Sequence, residues 1–129
     1  MGRPVVHFEI VGAEDETLHP FYRDLFGWEI DKDNPVGYGI VDREANLNPE
    51  GIGIGGGIMG TRGMQNMDET SYVTIYVEVA DVEEALNRAE ELGGQRVMGP
   101  MEVPGGPVLG MFNDPEGHMI GVVKEQTAS

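Results

Sequence analysis

The sequence predicts an α+β fold in which two βαβββ modules form a curved, mixed-sheet trough. Three observations support this prediction. Short segments rich in β-branched and aromatic residues alternate with two helical segments, and the order of these elements in the first half returns in the second. A polar, methionine-containing segment separates the halves. The 129 residues suffice for one domain, with modules at about 4–60 and 70–126 and a linker at 61–69.

The first module begins with a predicted strand over residues 5–11 and a helix from Asp15 to Phe26, in which apolar residues recur at helical spacing. Asp15 is predicted to cap the helix start, and Gly27 to supply its left-handed end. Pro20 lies inside this segment, and because proline fits only the first turn without a kink, a start near Thr17 or Leu18 is the alternative. Three strands follow, over residues 28–30, 36–42 and 51–59.

The second module repeats this order. A strand over residues 71–79 precedes an amphipathic helix over 81–92, and the pair Gly93-Gly94 is predicted to end that helix. A short strand at 95–97, a proline-containing loop over 98–107, a strand at 108–113, a turn at 114–117 and a last strand at 118–124 complete the module. Each half supplies a sheet with a helix on one side, so its other face needs a cover or a ligand.

Because side chains alternate along a strand, each first strand has one face toward its helix and one toward the trough. The helix-facing residues are predicted to be Phe8 and Ile10 in the first module and Ile75, Val77 and Val79 in the second. The residues predicted to face the trough are His7, Glu9, Thr74, Tyr76 and Glu78.

Charge and composition limit the classes of partner. The chain carries 23 acidic against 8 basic residues, a formal net charge of −15, which repels nucleic acid and anionic membrane surfaces. The same charge either attracts a cationic ligand or only keeps the protein soluble. With no cysteine, no secretory signal and no apolar run of about 20 residues, a cytoplasmic location without disulfides or membrane spans is expected.

Four motifs occur in order along the chain: the opening HFEI at residues 7–10, the helix end FYRDLFGW at 21–28, the helix start VADV at 79–82 and the turn DPEGH at 114–118. Together they resemble the vicinal oxygen chelate superfamily, which includes glyoxalases, bleomycin-resistance proteins and ring-cleaving dioxygenases. The resemblance covers nearly the whole chain in the right order. It implies the trough fold but does not choose among the family's metal-dependent enzymes and its metal-independent binding proteins.

The resemblance also implies a divalent ion held by four strand residues, for which imidazole and carboxylate groups are suitable ligands. The first of these positions falls on His7, the second within Gly55–Gly57, the third on Thr74 and the fourth on Gly121. His7 is the only competent ligand among them, so no metal cofactor is expected. The alternative is an ion in a shifted position that uses His7, Glu9, Tyr76 and Glu78.

Two further features receive ordinary structural interpretations. The glycine-rich run at 51–60 contains a G-x-G-x-x-G match, but no helical pattern follows it, so a close-packed strand is predicted rather than a dinucleotide site. His19 and His118 are predicted to lie on the solvent-exposed surface.

The sequence therefore predicts a metal-independent small-molecule binding protein that acts as a homodimer, since uncovered sheet edges favour association. The ligand is expected to have an apolar body with a cationic or hydrogen-bonding group. Two alternatives stay open: a metal-dependent lyase, isomerase or dioxygenase around His7 and Glu9, and a structural dimer without a ligand. No catalytic residue is assigned, and the predicted ligand-binding residues are His7, Glu9, Tyr38, Gly56, Thr74, Tyr76 and Gly121.

Overall fold

The structure, a computed structural model, describes residues 2–34, 37–61 and 71–125. The chain divides into two compact units, one of His7–Val73 and one of Met1–Val6 with Thr74–Ser129. Of the predicted linker at 61–69, only Thr61 falls within the described residues. The elements follow one another as two successive βαβββ modules, which confirms the predicted α+β fold class.

The first module contains five elements: β1 (Val5–Gly12), α1 (Asp15–Phe26), β2 (Ile30–Asp31), β3 (Gly39–Val41) and β4 (Gly55–Gly60). Its four strands lie in the order β2-β3-β4-β1. Strand β1 runs parallel to β4, whereas β2 pairs with β3 and β3 with β4 in antiparallel fashion.

The second module consists of β5 (Tyr72–Val79), α2 (Val82–Glu91), β6 (Gln95–Glu102), β7 (Val108–Asn113) and β8 (Met119–Lys124). Its strands lie in the order β5-β8-β7-β6, which is the topology of the first module. Strand β5 runs parallel to β8, and the remaining pairs are antiparallel. The predicted internal repeat is therefore present strand by strand.

Helix α1 has the predicted bounds, Asp15 to Phe26, and contains Pro20, so the alternative start near Thr17 or Leu18 is wrong. The predicted cap is also wrong, because the N-cap is Glu14, whose side chain makes no capping hydrogen bond. Asp15 is the first helical residue, and its carboxylate forms an ion pair with Lys32 at 3.0 Å. The end is as predicted, since Gly27 has a φ of 72° and lies in the left-handed region.

The prediction that His19 is exposed is wrong. Its side chain is buried, with a relative exposure of 8%, and its Nε2 atom lies 2.9 Å from the carbonyl oxygen of Ile58. Gly39 makes this packing possible, because a Cβ atom there would overlap the imidazole ring. The histidine thus joins α1 to the sheet.

Two strands of the first module are shorter than predicted, and one strand of the second module is longer. Strands β2 and β3 are only two and three residues long, whereas β6 extends to Glu102 and includes Pro100, which was predicted to lie in a loop. Proline is tolerated there because β6 is an outer strand of its sheet and its register with β7 shifts twice.

Each module has its own apolar packing. In the second module, the completely buried Leu86 of α2 packs with Val82 and Val122, and partly buried residues surround them. As predicted, Val79 faces this helix, whereas Ile75 is 38% exposed and is not covered by it. In the first module, aromatic rings pack on α1 and on one face of β1; these rings are Phe8, Tyr22, Phe26 and Trp28.

Candidate functional site

The alternating side chains of β1 separate a polar face from an aromatic face. Phe8 packs against Trp28 with ring centroids 5.2 Å apart, while His7 and Glu9 lie on the opposite face. In the parallel pairing with β4, His7 is opposite Gly55 and Glu9 is opposite Gly57. The neighbours on β4 therefore offer no side chains to the polar face.

Tyr38 fills the space above these glycines. A Cβ atom on Gly57 would fall within the phenol group of Tyr38, so only glycine leaves room for this ring. The hydroxyl oxygen of Tyr38 lies 3.0 Å from Nε2 of His7 and donates a hydrogen bond of 2.9 Å to Oε2 of Glu9. Asn34 fixes the backbone of Tyr38 by accepting from its N–H at 2.9 Å and donating to its carbonyl at 2.6 Å.

Tyr72 completes this arrangement, because its hydroxyl donates to the other carboxylate oxygen of Glu9, Oε1, at 3.2 Å. We call the four side chains of His7, Glu9, Tyr38 and Tyr72 the Glu9 network. Sequence reasoning missed Tyr72. The signal was available, since Tyr72 precedes Thr74 and Tyr76 at intervals of two residues, as expected for one face of a strand.

Burial determines the charge states in the Glu9 network. Glu9 is only 8% exposed, and a carboxylate so placed needs hydrogen-bond donors, which the two tyrosines supply. Desolvation lowers the pKa of His7 below its ordinary value, so the ring is neutral at neutral pH. Burial, and then the charge of Glu9 and the hydrogen bond to it, raise the pKa of Tyr72. Tyr72 therefore remains a phenol donor well into the alkaline range.

The corresponding residues of the second module make different contacts. Thr74 is 4% exposed, and its hydroxyl donates to the carbonyl of Met119 at 2.7 Å. Tyr76 is 5% exposed and is paired with Gly121 across β5 and β8. Its ring occupies the position that a Cβ atom on Gly121 would need.

The structure thus brings together three of the predicted ligand-binding residues, namely His7, Glu9 and Tyr38. Gly56, also predicted, lies under the Phe8 ring on the aromatic face instead, so Gly57 is the glycine that accompanies Glu9. The other three, Thr74, Tyr76 and Gly121, pack within the second module. Ligand binding by any of them stays a prediction.

The residues at the four expected metal positions do not fit a metal site. Nε2 of His7 bonds to Tyr38, the hydroxyl of Thr74 bonds to a backbone carbonyl, and tyrosine rings lie over Gly57 and Gly121. Within residues 2–34, 37–61 and 71–125, no group of three or more His, Cys, Asp or Glu residues is placed to hold an ion. This donor set is poor for a divalent cation.

His118 is exposed as predicted, with its Nδ1 atom 3.0 Å from the carboxylate of Asp114. Among the residues that the structure describes, no helix has the length and apolar character needed to span a membrane.

Comparison with known proteins identifies the family. A sequence profile of the Glyoxalase/Bleomycin resistance protein/Dioxygenase superfamily matches residues 5–122. This match confirms the resemblance found in the sequence motifs. No curated protein matches the chain significantly.

Solved structures match over nearly the whole chain. A hypothetical protein from Bacillus halodurans is 14% identical with a TM-score of 0.68, and the alignment covers 100% of this chain and 99% of that one. A Streptomyces coelicolor methylmalonyl-CoA epimerase in complex with 2-nitronate-propionyl-CoA is 16% identical with a TM-score of 0.66, at 98% and 99% coverage. A Vibrio splendidus member of the superfamily has 16% identity and a TM-score of 0.60, at 96% and 100% coverage. Identities this low establish the fold alone.

Proposed function

We propose that this chain, which belongs to the Glyoxalase/Bleomycin resistance protein/Dioxygenase superfamily, binds a small molecule through its own side chains and without a metal. The binding surface is the polar face of the first module, which carries the Glu9 network. The observation that carries the proposal is the position of Tyr38, whose ring lies over Gly57 and whose hydroxyl bonds to both His7 and Glu9. A tyrosine in this position provides an apolar surface and a fixed polar group, which are the usual components of a small-molecule site.

The electrostatics indicate which ligands suit this surface. Glu9 is a nearly buried carboxylate, and the whole chain carries a net charge of −15, so a ligand with a cationic or hydrogen-bonding group on an apolar body is favoured. The epimerase with the same fold was solved in complex with 2-nitronate-propionyl-CoA. A polyanion of that kind would approach this chain against its field, so we do not extend that ligand class to it.

A pair of probes of similar shape tests the proposal. Benzylamine should raise the melting temperature of the protein as its concentration increases, whereas benzyl alcohol should have a smaller effect, because only the ammonium group can pair with Glu9. The variant Glu9→Gln should lose the difference between the two probes, while Tyr22→Phe, on the aromatic face, should keep it. Equal responses of the wild type and Glu9→Gln would contradict the proposal.

The metal-dependent alternative is tested on the same protein. Elemental analysis of the purified chain and a thermal shift series with Mn²⁺, Ni²⁺ and Zn²⁺ should show no stoichiometric metal and no stabilisation. Stabilisation that is lost in His7→Gln would instead favour a lyase, isomerase or dioxygenase with a rearranged site, since ions that bind only the folded state stabilise it.

Two further parts of the proposal concern the environment of the protein. We infer a homodimer, because β6 is an eight-residue outer strand of its sheet and exposes Val97 and Met101, and such edges favour pairing with another chain. Light scattering after size-exclusion chromatography should give twice the chain mass, and Val97→Lys should lower it.

The cytoplasmic location and the absence of nucleic acid and membrane partners stay predictions from the composition.

A further inference from the structure

One side of helix α1 is apolar and open to solvent. Its large apolar residues Phe21, Leu25 and Phe26 are 57%, 58% and 57% exposed. Phe21 and Leu25 are four residues apart, so they are neighbours on the helix surface. The large apolar residues of helix α2, Val82 and Leu86, are instead buried. We call the exposed side chains of Phe21, Leu25 and Phe26 the α1 patch.

Aromatic contacts hold the α1 patch in a fixed shape. The ring of Tyr22 stacks on Phe26 and on Trp28, with centroid distances of 6.1 and 5.5 Å. Phe21 meets Tyr22 edge to face at 5.1 Å. Trp28 in turn contacts Phe26 at 5.0 Å and rests on Phe8 of β1 at 5.2 Å. A partner would therefore meet side chains that are already ordered, which lowers the entropy cost of binding.

The chain around the α1 patch is acidic. Residues 14–32 contain six acidic and two basic residues. Both basic side chains contact carboxylates, since Arg23 lies 3.2 Å from Asp24 and Lys32 lies 3.0 Å from Asp15. The segment therefore keeps a negative net charge around an apolar centre. Exposed aromatic rings add a second attraction for cations, which bind over the face of a ring.

These charges discriminate between the possible occupants of the α1 patch. A second copy of the chain would bring two acidic segments together, because an isologous contact places the same surface on both sides. An anionic membrane surface is repelled by the net charge of −15. A protein segment with basic residues beside an apolar stripe is attracted by both features. Helix α1 has 12 residues and a length of about 18 Å, which suits a partner helix of similar length.

We propose that the α1 patch binds a cationic amphipathic helix of another protein. The apolar stripe of the partner packs along the ridge formed by Phe21 and Leu25. Its lysine and arginine side chains lie near Asp24 and Glu29, which are both exposed. Because Glu9 lies on the opposite face of β1 from the aromatic rings, this contact uses a different surface from the Glu9 network. The inference therefore goes beyond the proposed function and does not depend on it.

A synthetic peptide of leucine and lysine, arranged as an amphipathic helix, tests the apolar part of the contact. Trp28 is the one tryptophan of the chain, and its fluorescence should shift to the blue as the peptide binds. Leu25→Ser should weaken the affinity roughly 10-fold, because it removes apolar contact area, and Phe21→Ser in the same chain should weaken it further. Leu92→Ser is the matched control, since Leu92 is a leucine 64% exposed at the end of α2. Equal affinities of Leu25→Ser and Leu92→Ser would overturn the proposal.

Charge reversal tests the acidic part of the contact. Asp24→Lys with Glu29→Lys should weaken peptide binding roughly 10-fold. Glu50→Lys with Glu116→Lys changes the net charge equally at exposed positions elsewhere and should have a smaller effect. Equal effects of the two pairs would show that only the total charge matters, which would overturn the proposed contact.

A second peptide keeps the test decisive if a variant loses its fold, as judged by circular dichroism. This peptide has serine in place of every leucine and keeps every lysine. It should bind the wild-type chain more weakly than the leucine peptide does and leave the Trp28 fluorescence unchanged. Equal binding of the two peptides would exclude the apolar contact and overturn the proposal.

The remaining occupants are distinguished on the same proteins. The chain with both Phe21→Ser and Leu25→Ser should have the same mass in light scattering as the wild type. A lower mass would show that a second copy covers the α1 patch and would overturn the proposal. Binding of the wild type, but not of this variant, to phosphatidylcholine vesicles would assign the patch to a lipid surface and would also overturn it.

Discussion

The two modules share one topology but use equivalent positions differently. In the first, His7, Glu9 and Tyr38 bond to one another through their side chains, and Tyr72 at the start of β5 adds a hydrogen bond to Glu9. In the second, the position equivalent to His7 holds Thr74, which bonds to a backbone carbonyl. Both modules place a tyrosine ring over a glycine of the last strand, Gly57 in one and Gly121 in the other. The two modules therefore share a tyrosine packed on a glycine and differ in the polar side chains beside it.

The helices show the same division between the modules. Helix α2 buries Val82 and Leu86 in an apolar cluster and is capped by Asp81, which accepts a hydrogen bond from the N–H of Glu84 at 2.9 Å. Helix α1 buries His19 and leaves Leu25 58% exposed. The apolar cluster on α2 has no polar member, whereas α1 packs a histidine against its sheet; both modules have completely buried apolar residues, including Val11, Val41 and Ile58 in the first. We interpret the first module as the functional half because it carries His7, Glu9 and Tyr38 of the Glu9 network.

The largest expected effect is a difference in stability between substitutions in the two helices. Leu86→Ala removes a completely buried side chain from the second module and should lower the free energy of unfolding by about 2–5 kcal/mol. Leu25→Ala removes an exposed leucine from α1 and should change it by about 0.5 kcal/mol at most. Urea denaturation of both variants measures the difference. Equal losses of free energy of unfolding in the two variants would mean that Leu86 of α2 stabilises the fold no more than Leu25 of α1.

The glycines beneath the tyrosines allow a second test. Gly57→Ala and Gly121→Ala each place a methyl group where a ring lies and should each lower stability by about 1–3 kcal/mol. The consequences for binding should differ, because displacement of Tyr38 breaks its bonds to His7 and Glu9. Gly57→Ala should therefore also weaken benzylamine binding, whereas Gly121→Ala should not. Calorimetric titration of the two variants distinguishes them, and identical affinities would remove the functional distinction between the modules.

A third test removes one hydroxyl group from each module and compares the stability that its hydrogen bonds contribute. Tyr38→Phe removes one hydrogen bond from His7 and one from Glu9 and should lower the free energy of unfolding by about 1–3 kcal/mol. Thr74→Val leaves one carbonyl unsatisfied and should lower it by about 1 kcal/mol. The two values come from chemical denaturation under the same conditions. A larger loss for Thr74→Val would contradict the description of the Glu9 network as the more extensive polar cluster.

The smallest expected effect is a dependence on pH that belongs to the first module. Burial lowers the pKa of His7 from 6.5 in the folded chain, so the unfolded chain binds the proton first as the pH falls. The free energy of unfolding should therefore decrease below about pH 6.5 until the folded pKa is reached, and this contribution is absent at higher pH. Denaturation at about pH 7 and about pH 5 should show a smaller decrease in His7→Gln than in Tyr22→Phe. The same decrease in both variants would exclude His7 as its source.

Much of the fold could be predicted from the sequence, because it depends on local patterns. The helical spacing of apolar residues gave α1 and α2, and the left-handed conformation of Gly27 matched the predicted helix end. The predictions failed for features that depend on packing between residues far apart in the sequence. His19 looked exposed by its type, but the absence of a side chain at Gly39 on β3 opens space for its ring. The length of β6 depends on its partner β7, which no local pattern reveals.

The candidate site could be predicted only in part. Alternation along β1 placed His7 and Glu9 on one face, which requires nothing beyond the period of a strand. The position of Tyr38 depends on Asn34, which holds its backbone, and on the space above Gly57. Tyr72 is 63 residues from Glu9 in sequence. Contacts of this range follow from the folded chain, not from the spacing of residues.

Nitrogen NMR of the three histidines, recorded with and without excess Zn²⁺, tests the central claim most directly, with the His7 signals assigned from His7→Gln. We expect a neutral His7 ring with its proton on Nε2, unchanged by the metal, because the Tyr38 hydroxyl donates its one hydrogen to Glu9 and therefore accepts from that nitrogen. Loss of the Nε2 proton and a shift of that nitrogen on addition of stoichiometric Zn²⁺ would show that the ring binds an ion. That result would contradict a site organised by the chain's own side chains.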